Sequence, residues 1–293
     1  MKMKTSDKAL DFFINALLIL IAFIVIYPLW FVVIASISSP SAISNGEVIL
    51  LPKGFNIDAY VKLFQTSRIW IGYKNSILYT GAAMILDLAV QIPCAFALSR
   101  QRLPFRRFFN VLFIIPMYFV GGIIPSYVLL SKLGMVDSPL ALIIPACVNC
   151  FNLIVAKNYF ASNIPESLVE AAKIDGCGYI RFFFSIAVPL SGAIVAIIAL
   201  YSMQSHWNGY LGPVMYLYSP EKHTLQQVVA SITANLDSTL TEFTSLEEVA
   251  KITQEKQLLK YAVVFVSSLP LIVVYPFVQK FFVKGVMVGA VKG

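Results

Sequence analysis

The chain has 293 residues, of which 58% are apolar and only 13% charged, and its formal net charge is +7. A soluble domain carries about 25% charged residues, so this chain lacks the polar side chains to cover a large soluble fold and belongs in lipid. An excess of basic residues in such a chain points to membrane topology rather than to nucleic acid.

Six stretches are long enough to cross a hydrocarbon core, which takes about 20 mostly apolar residues. In chain order they are Phe12–Ile37, Ile71–Leu98, Phe108–Ser131, Pro139–Phe160, Ile186–Trp207 and Leu259–Phe282. Each is expected to be a helix, because backbone groups in lipid must be satisfied within the segment. The first stretch follows Lys2, Lys4 and Lys8. It outruns a signal-peptide core and lacks a small-residue cleavage site, so it reads as a retained span. With the N-terminus inside, most of the Lys and Arg fall on the inner segments, led by Arg100, Arg102, Arg106 and Arg107 in one short loop. The positive-inside rule then puts both termini in the cytoplasm.

Ser38–Trp70 and Asn208–Lys256 are long outer segments, the second with an acidic, amphipathic piece at Glu242–Gln257. Loops of this length usually have a role; docking of a substrate-delivering partner and a packed lid are both open. Cys147 and Cys150 have knuckle-like spacing, but without a second pair or a histidine cluster they read as helix-contact residues rather than metal ligands. No disulfide framework is expected.

The segment 161–185 between the fourth and fifth spans carries the densest local signals. Asn163 is a helix-capping residue type, Pro165 suits a first turn, and Glu166 stands in capping-box position. Glu166 to Ile174 reads as a short helix with Ile164, Leu168, Ala171 and Ala172 as its apolar stripe. Gly176 supplies a left-handed terminator and Gly178 a second bend. A short, rigidly held, semi-apolar helix of this kind suits a groove on a cytoplasmic protein or the lipid headgroup region.

Some polar residues lie at membrane depth. Asp87 and Gln91 share a helical face, and the carboxylate has three readings: helix packing, pathway lining or proton relay. Tyr118, Asn149, Asn152, Tyr201, Gln204 and Asn208 are candidate pathway residues, since amides, hydroxyls and flat aromatic faces at membrane depth suit a polar solute. The same residue types also hold helices together. His206, beside Trp207, reads as part of an interfacial aromatic belt. Neither it nor His223 has a triad-like arrangement with a carboxylate and a serine, so catalysis by this chain is not expected. No G-x-x-x-x-G-K-[ST] phosphate loop occurs in the sequence, so the chain is not expected to hold ATP.

The run Glu170-Ala171-Ala172-x-x-Asp175-Gly176, followed at fixed spacing by Phe183, Ile186 and Pro189, resembles the EAA loop of type I ABC importer permeases. Cys177 stands where that family usually has Ala, and Val188 where it has Leu. Met117-Tyr118, Gly121-Gly122, Trp207-Asn208, Tyr275-Pro276-Phe277 and the ending Lys284-Gly285 to Gly293 resemble the carbohydrate branch, of the MalG type and within it the LplC/YtcP-like subgroup. The resemblance implies an all-α membrane fold of six transmembrane helices forming one permease domain over 1–293, in a bacterial cell membrane. It implies that Glu170, Ala171, Ala172, Asp175, Gly176, Cys177 and Gly178 contact an ATPase, and that Gly289, Ala290, Val291, Lys292 and Gly293 form a tail reaching between two ATPases. The implied partners are a second homologous permease in a heterodimer, two cytoplasmic ABC ATPases that carry ATP and Mg, and an extracellular or periplasmic sugar-binding protein. The transported solute is expected to be an oligosaccharide. An importer for a non-sugar solute is the alternative, and behind it an ion-driven secondary transporter, which predicts internal repeats and broken helices that the sequence does not suggest.

Overall fold

A computed structural model describes residues 5–238 and 246–290. All regular elements among these residues are helical, and they divide into two compact units.

The first unit comprises Met1–Ser67 and Val229–Leu269. Its helix Thr5–Ser36 exposes apolar side chains on every side from Leu10 to Trp30, as a helix does when its neighbours are lipid or another subunit. After it the chain folds into a small cap containing the short helices Pro40–Ser44 and Asp58–Gln65. Ile34, Ala35, Ala42, Ile43, Val48 and Ala59 pack there with Leu258 and Ala262 from the helix Leu246–Ala290. Ser39 caps the first short helix through Ala42 N, which satisfies a donor that would otherwise be orphaned. The predicted outer loop is therefore an ordered helical cap. The predicted amphipathic piece Glu242–Gln257 lies partly outside the described residues, and its portion from Leu246 belongs to that long helix.

The second unit comprises Arg68–Val228 and Pro270–Gly293. Its backbone element is the helix Ser67–Ser99. Its core gathers Ile92, Ala95, Phe96, Leu153, Ala156, Phe160, Val169, Phe182, Phe183, Ile194 and Ile198. Phe96 is the hub, with ring centroids 5.6 Å from Phe160, 6.0 Å from Phe182 and 5.3 Å from Phe183, in the offset and edge-on range that aromatic pairs favour.

Three of the six expected spans are continuous helices long and apolar enough to cross a membrane: Leu10–Ser36, Ser67–Ser99 and Lys256–Phe277. The other three are not single helices, which corrects the expectation. The third breaks into Arg106–Tyr118 and Ile123–Lys132, bent by 114° at a stretch containing Gly121 and Gly122, the latter with φ +85°. The fourth is helical only at Leu140–Ile143 and Cys150–Asn163. Pro145 lies in the gap and lacks the N–H that would continue the helix, although Ile144 before it keeps helical dihedrals at φ -71° and ψ -49°. The fifth bends by 81° between Tyr179–Leu190 and Gly192–Asn208, and its first half contains a π-helical segment, Phe183–Ala187. Because of the break in the fourth stretch, Cys147 precedes the helix that Cys150 begins, so the two cysteines do not share one helical face as expected.

Candidate functional site

Two places in the second unit collect the candidate residues. One is the loop after Asn163, the other a polar cavity deeper in the helices.

The loop helix runs from Glu166 to Ile174. Its N-cap is Pro165, with no side-chain hydrogen bond. The expected Asn163 capping box does not form: the Asn163 amide turns back to donate to Tyr159 O at 3.0 Å, closing the preceding helix instead. Glu166 points at Arg100, 3.5 Å from Nη1. The C-terminal end follows the expectation closely. Gly176 sits at φ +74°, Cys177 N donates to Ala172 O at 2.8 Å, and Gly176 N donates to Lys173 O at 3.0 Å. These two bonds are the Schellman pattern, which satisfies two helix-end carbonyls and needs a left-handed residue at the position Gly176 occupies.

The helix has two distinct faces. Val169 and Ala172 are buried, and Leu168 and Cys177 pack on the same core. Glu170, Ala171, Lys173, Ile174 and Asp175 are exposed, with Ile174 at 87%. Ala171 and Ala172 thus fall on opposite faces, unlike the single stripe expected. Lys173 lies 4.2 Å from the Tyr179 ring centroid and donates to its hydroxyl at 2.6 Å, which ties the far end of the loop to the helix.

The support behind this loop is Arg100, which sequence reasoning valued only for its charge. Its side chain is 8% exposed. Nη1 donates to Ile164 O at 3.0 Å, Nη2 to Phe160 O at 3.0 Å, and Nε to Ser99 Oγ at 3.0 Å, while the guanidinium carbon lies 5.0 Å from the centroid of the Phe96 ring. Phe160 and Ile164 supply carbonyls at the end of the helix Cys150–Asn163, where intrahelical donors run out. Burial pulls the Arg100 guanidinium below its usual value, and the Glu166 carboxylate opposes that shift. In front of it Arg102 makes an exposed ion pair with Glu170 at 2.5 Å. An apolar groove of about 520 Å³ runs beside the loop, lined among others by Pro93, Phe96, Leu103, Ile180 and Phe184.

The polar cavity has a volume of about 220 Å³ and is lined by Asp87, Ala146, Val148, Asn149, Asn152, Tyr201, Ser202, Ser205 and His206. The break in the fourth predicted span lies in its wall. Irregular backbone at membrane depth is tolerated where it lines such a space. Asn149 begins the helix Cys150–Asn163, its Oδ1 accepting from Asn152 N at 3.0 Å. Asp87 is 2% exposed and Gln91, one turn on, is 0% exposed. Asp87 Oδ2 accepts from Ser202 Oγ at 2.5 Å and lies 3.3 Å from His206 Nε2. Asp87 Oδ1 and both amide atoms of Gln91 are buried without a hydrogen-bond partner.

Three of the predicted pathway residues, Asn149, Asn152 and Tyr201, therefore meet in one cavity. Tyr118, Gln204 and Asn208 do not line it; all three are exposed. His206 is not an interfacial belt residue, since its side chain is 13% exposed and turned to Asp87. A serine, an aspartate and a histidine do come together, contrary to expectation. The carboxylate oxygen sits between the other two, whereas nucleophile activation needs the imidazole in the middle. The spacing of Ser202, Ser205 and His206, three and four residues apart on one helical face, was the local signal for this cluster. Among the described residues no group of His, Cys, Asp and Glu forms a metal site. Of the predicted tail, Val291, Lys292 and Gly293 lie outside the described residues, and Gly289 and Ala290 end the helix Leu246–Ala290.

A second latch lies far from Arg100 along the unit. Asp137 accepts from Tyr218 N at 2.9 Å, Ser219 N at 3.0 Å and Ser219 Oγ at 2.5 Å, and pairs with Lys222 at 2.7 Å. These donors, with Lys222 foremost, hold its carboxyl well below the usual carboxylate range. Nearby, Asn75 Nδ2 donates to the carbonyls of Glu221 and His223 at 2.8 and 3.0 Å.

Residues 69–288 match the family described as binding-protein-dependent transport system inner membrane component. The chain is 34% identical over 290 residues to the polygalacturonan/rhamnogalacturonan transport system permease protein YtcP of Bacillus subtilis (strain 168), covering 98% of this chain and 99% of that protein. It is 34% identical over 270 residues to protein LplC of the same organism, covering 92% and 90%. A solved chain of a bacterial ABC transporter involved in the import of the acidic polysaccharide alginate superposes with a TM-score of 0.83 at 30% identity, covering 96% of this chain and 99% of that one. Such coverage extends the likeness from the fold to the whole length of the polypeptide, and the chain belongs to the family of binding-protein-dependent transport system inner membrane components.

Proposed function

We propose that this chain is the permease subunit of an ATP-driven importer of oligosaccharides, a single permease domain that crosses a bacterial cell membrane six times with both termini inside. It forms half of a pathway with a second, homologous permease. Two cytoplasmic ATPases holding ATP and Mg drive it, and a sugar-binding protein delivers the solute from outside. The chain itself is not catalytic. The names of its relatives, which concern polygalacturonan, rhamnogalacturonan and alginate, support a carbohydrate solute over a peptide or an inorganic ion.

The observation that carries the reading is the loop Glu166–Gly178. A helix closed by a Schellman turn and backed by a buried guanidinium presents Glu170, Ala171, Ile174 and Asp175 outward. This is the form needed to seat in a groove of an ATPase and carry its motion inward. The bonds from Arg100 to Phe160 and Ile164 also put the end of the second span beside the end of the fourth. That supports two crossings between them and a shared cytoplasmic side, where the Arg100–Arg107 charges belong. The tail Gly289–Gly293 is a second ATPase contact in this reading. Asn149, Asn152 and Tyr201 face the pathway.

The broken helices run against the sequence expectation and are also a feature of ion-driven transporters; family membership favours the ATP-driven reading. Proteoliposomes holding the purified complex separate the two. Uptake of binding-protein-delivered oligosaccharide requires enclosed ATP and survives an ionophore. Uptake that persists without ATP and collapses with the ionophore would contradict the proposal.

A further inference from the structure

The buried cluster at Asp87 has a feature that helix packing does not use. Its Oδ2 is occupied by Ser202 and faces His206, its Oδ1 is buried and among the described residues has no donor, and Asp87 is one of the residues that line the cavity. An unpaired carboxylate oxygen out of water is costly, and it is balanced when a donor enters the space beside it. The rest of the lining decides which donor. Asn149, Asn152, Tyr201 and Ser205 bring amides and hydroxyls able to donate and accept. Among the described residues no lysine or arginine lines the cavity, so an entering carboxylate would meet Asp87 without a permanent cation from them to offset it. A water takes about 30 Å³ of liquid, so 220 Å³ holds a handful of waters or the hydroxyl-bearing edge of one ring, not a chain of several.

We propose that this cavity is a sugar subsite on this subunit that reads neutral hydroxyls: Asp87 Oδ1 accepts from a hydroxyl of one pyranose ring, and Asn149, Asn152, Tyr201 and Ser205 bind its neighbours. The subsite binds an uncharged ring, or the hydroxyl face of an acidic one with the acid group turned away. Asp87 is thereby a specificity-determining residue of the pathway. The inference rests on the sugar-permease reading above. Sequence reasoning left the role of Asp87 open and placed His206 elsewhere.

The test uses the assembled complex of both permeases and both ATPases, without the binding protein, and reads saturation-transfer NMR to two probes, methyl α-galactopyranoside and methyl α-galacturonoside. The wild type is expected to transfer to the neutral glycoside and much less to the uronoside. Asp87→Asn and Tyr201→Phe are each expected to weaken the neutral signal about tenfold, as loss of a hydrogen bond to a charged or buried group does. Asp87→Asn should also narrow the gap between the probes; Tyr201→Phe should not. The phenolic oxygen belongs to an exposed residue, so the Tyr201 variant keeps the test available if the Asp87 variant fails to assemble. Equal neutral signals in wild type and Tyr201→Phe, a wild-type preference for the uronoside, or a signal that appears only with added calcium would each overturn the subsite. Failure of the sugar-permease reading would be seen separately, as a non-carbohydrate ligand on the co-purified binding protein.

Discussion

Arg100 and Asp137 are both charged latches that hold loops through backbone groups, but they hold them differently. Arg100 is nearly sealed from water and donates to two carbonyls at the end of one helix. Asp137 has a side chain 29% exposed and gathers N–H groups, a hydroxyl and Lys222 from a single neighbouring stretch. Asn75 and Ser99, the residue before Arg100, stand 24 residues apart on the helix Ser67–Ser99, about 36 Å at 1.5 Å per residue. Asn75 bonds the same stretch that Asp137 holds, so the latches serve opposite ends of one long helix. The desolvated latch backs a helix whose outward face mixes charged side chains with Ala171 and Ile174, the latter 87% exposed. A partner that pushes on that helix pushes on the helix Ser67–Ser99 as well. The less buried latch closes the stretch from Tyr218 to Lys222.

If burial is what separates the two, replacing Arg100 should do the most damage. Arg100→Met strands the carbonyls of Phe160 and Ile164 together with Glu166, at a cost of about 3 kcal/mol. The thermal inactivation midpoint of the assembled complex should fall by roughly 5–10 °C, with Arg100→Lys intermediate because a single ammonium cannot fork to both carbonyls. A midpoint unchanged in Arg100→Met would remove the distinction between the latches.

Asp137→Asn should do less, and its effect should depend on pH. The carboxyl is depressed in the folded chain, so its contribution is complete above the ordinary carboxylate value of about 3.9 and fades as pH falls toward the lowered one. The midpoint difference between wild type and Asp137→Asn is therefore expected to be constant near neutrality and to shrink below about pH 4. A difference that grows with acidity would reverse the assignment. Smallest of all is Arg102→Ala. Its pair with Glu170 is exposed on both sides, 61% and 49%, and such pairs contribute about 0–1 kcal/mol. A midpoint shift above about 3 °C would show that the outer guanidinium shares the work of the buried one.

The loop was legible in the sequence because its signals are local. Gly176 had to be left-handed to end a helix, and its bonds to Lys173 and from Cys177 to Ala172 are those that such an ending makes. Asn163 misled because an amide at a helix boundary can close the helix behind it as well as cap the one ahead, and here it bonds Tyr159. The cavity was only half legible. Asn149, Asn152 and Tyr201 stood out as amides and an aromatic at membrane depth, but nothing along the chain announces that they meet Asp87. Trp207 drew His206 to an interface, yet Trp207 is itself 4% exposed. Hydropathy said that three stretches lie in lipid and not that they are straight. Gly121-Gly122, Pro145 and Ser191-Gly192 carried the information about their breaks.

The most direct test of the coupling role is binding-protein-stimulated ATPase activity in complexes carrying Gly176→Val. A Cβ at Gly176 would meet nothing within 4 Å, so the substitution acts on the backbone alone. A β-branched residue in the left-handed region costs about 1–3 kcal/mol, which opens the Schellman turn and loosens the helix that it closes. With complex abundance normal, stimulation and sugar uptake are expected to fall together about tenfold or more while unstimulated hydrolysis persists. Wild-type stimulation and uptake in that variant would contradict the claim that the loop Glu166–Gly178 transmits the ATPase cycle to the membrane.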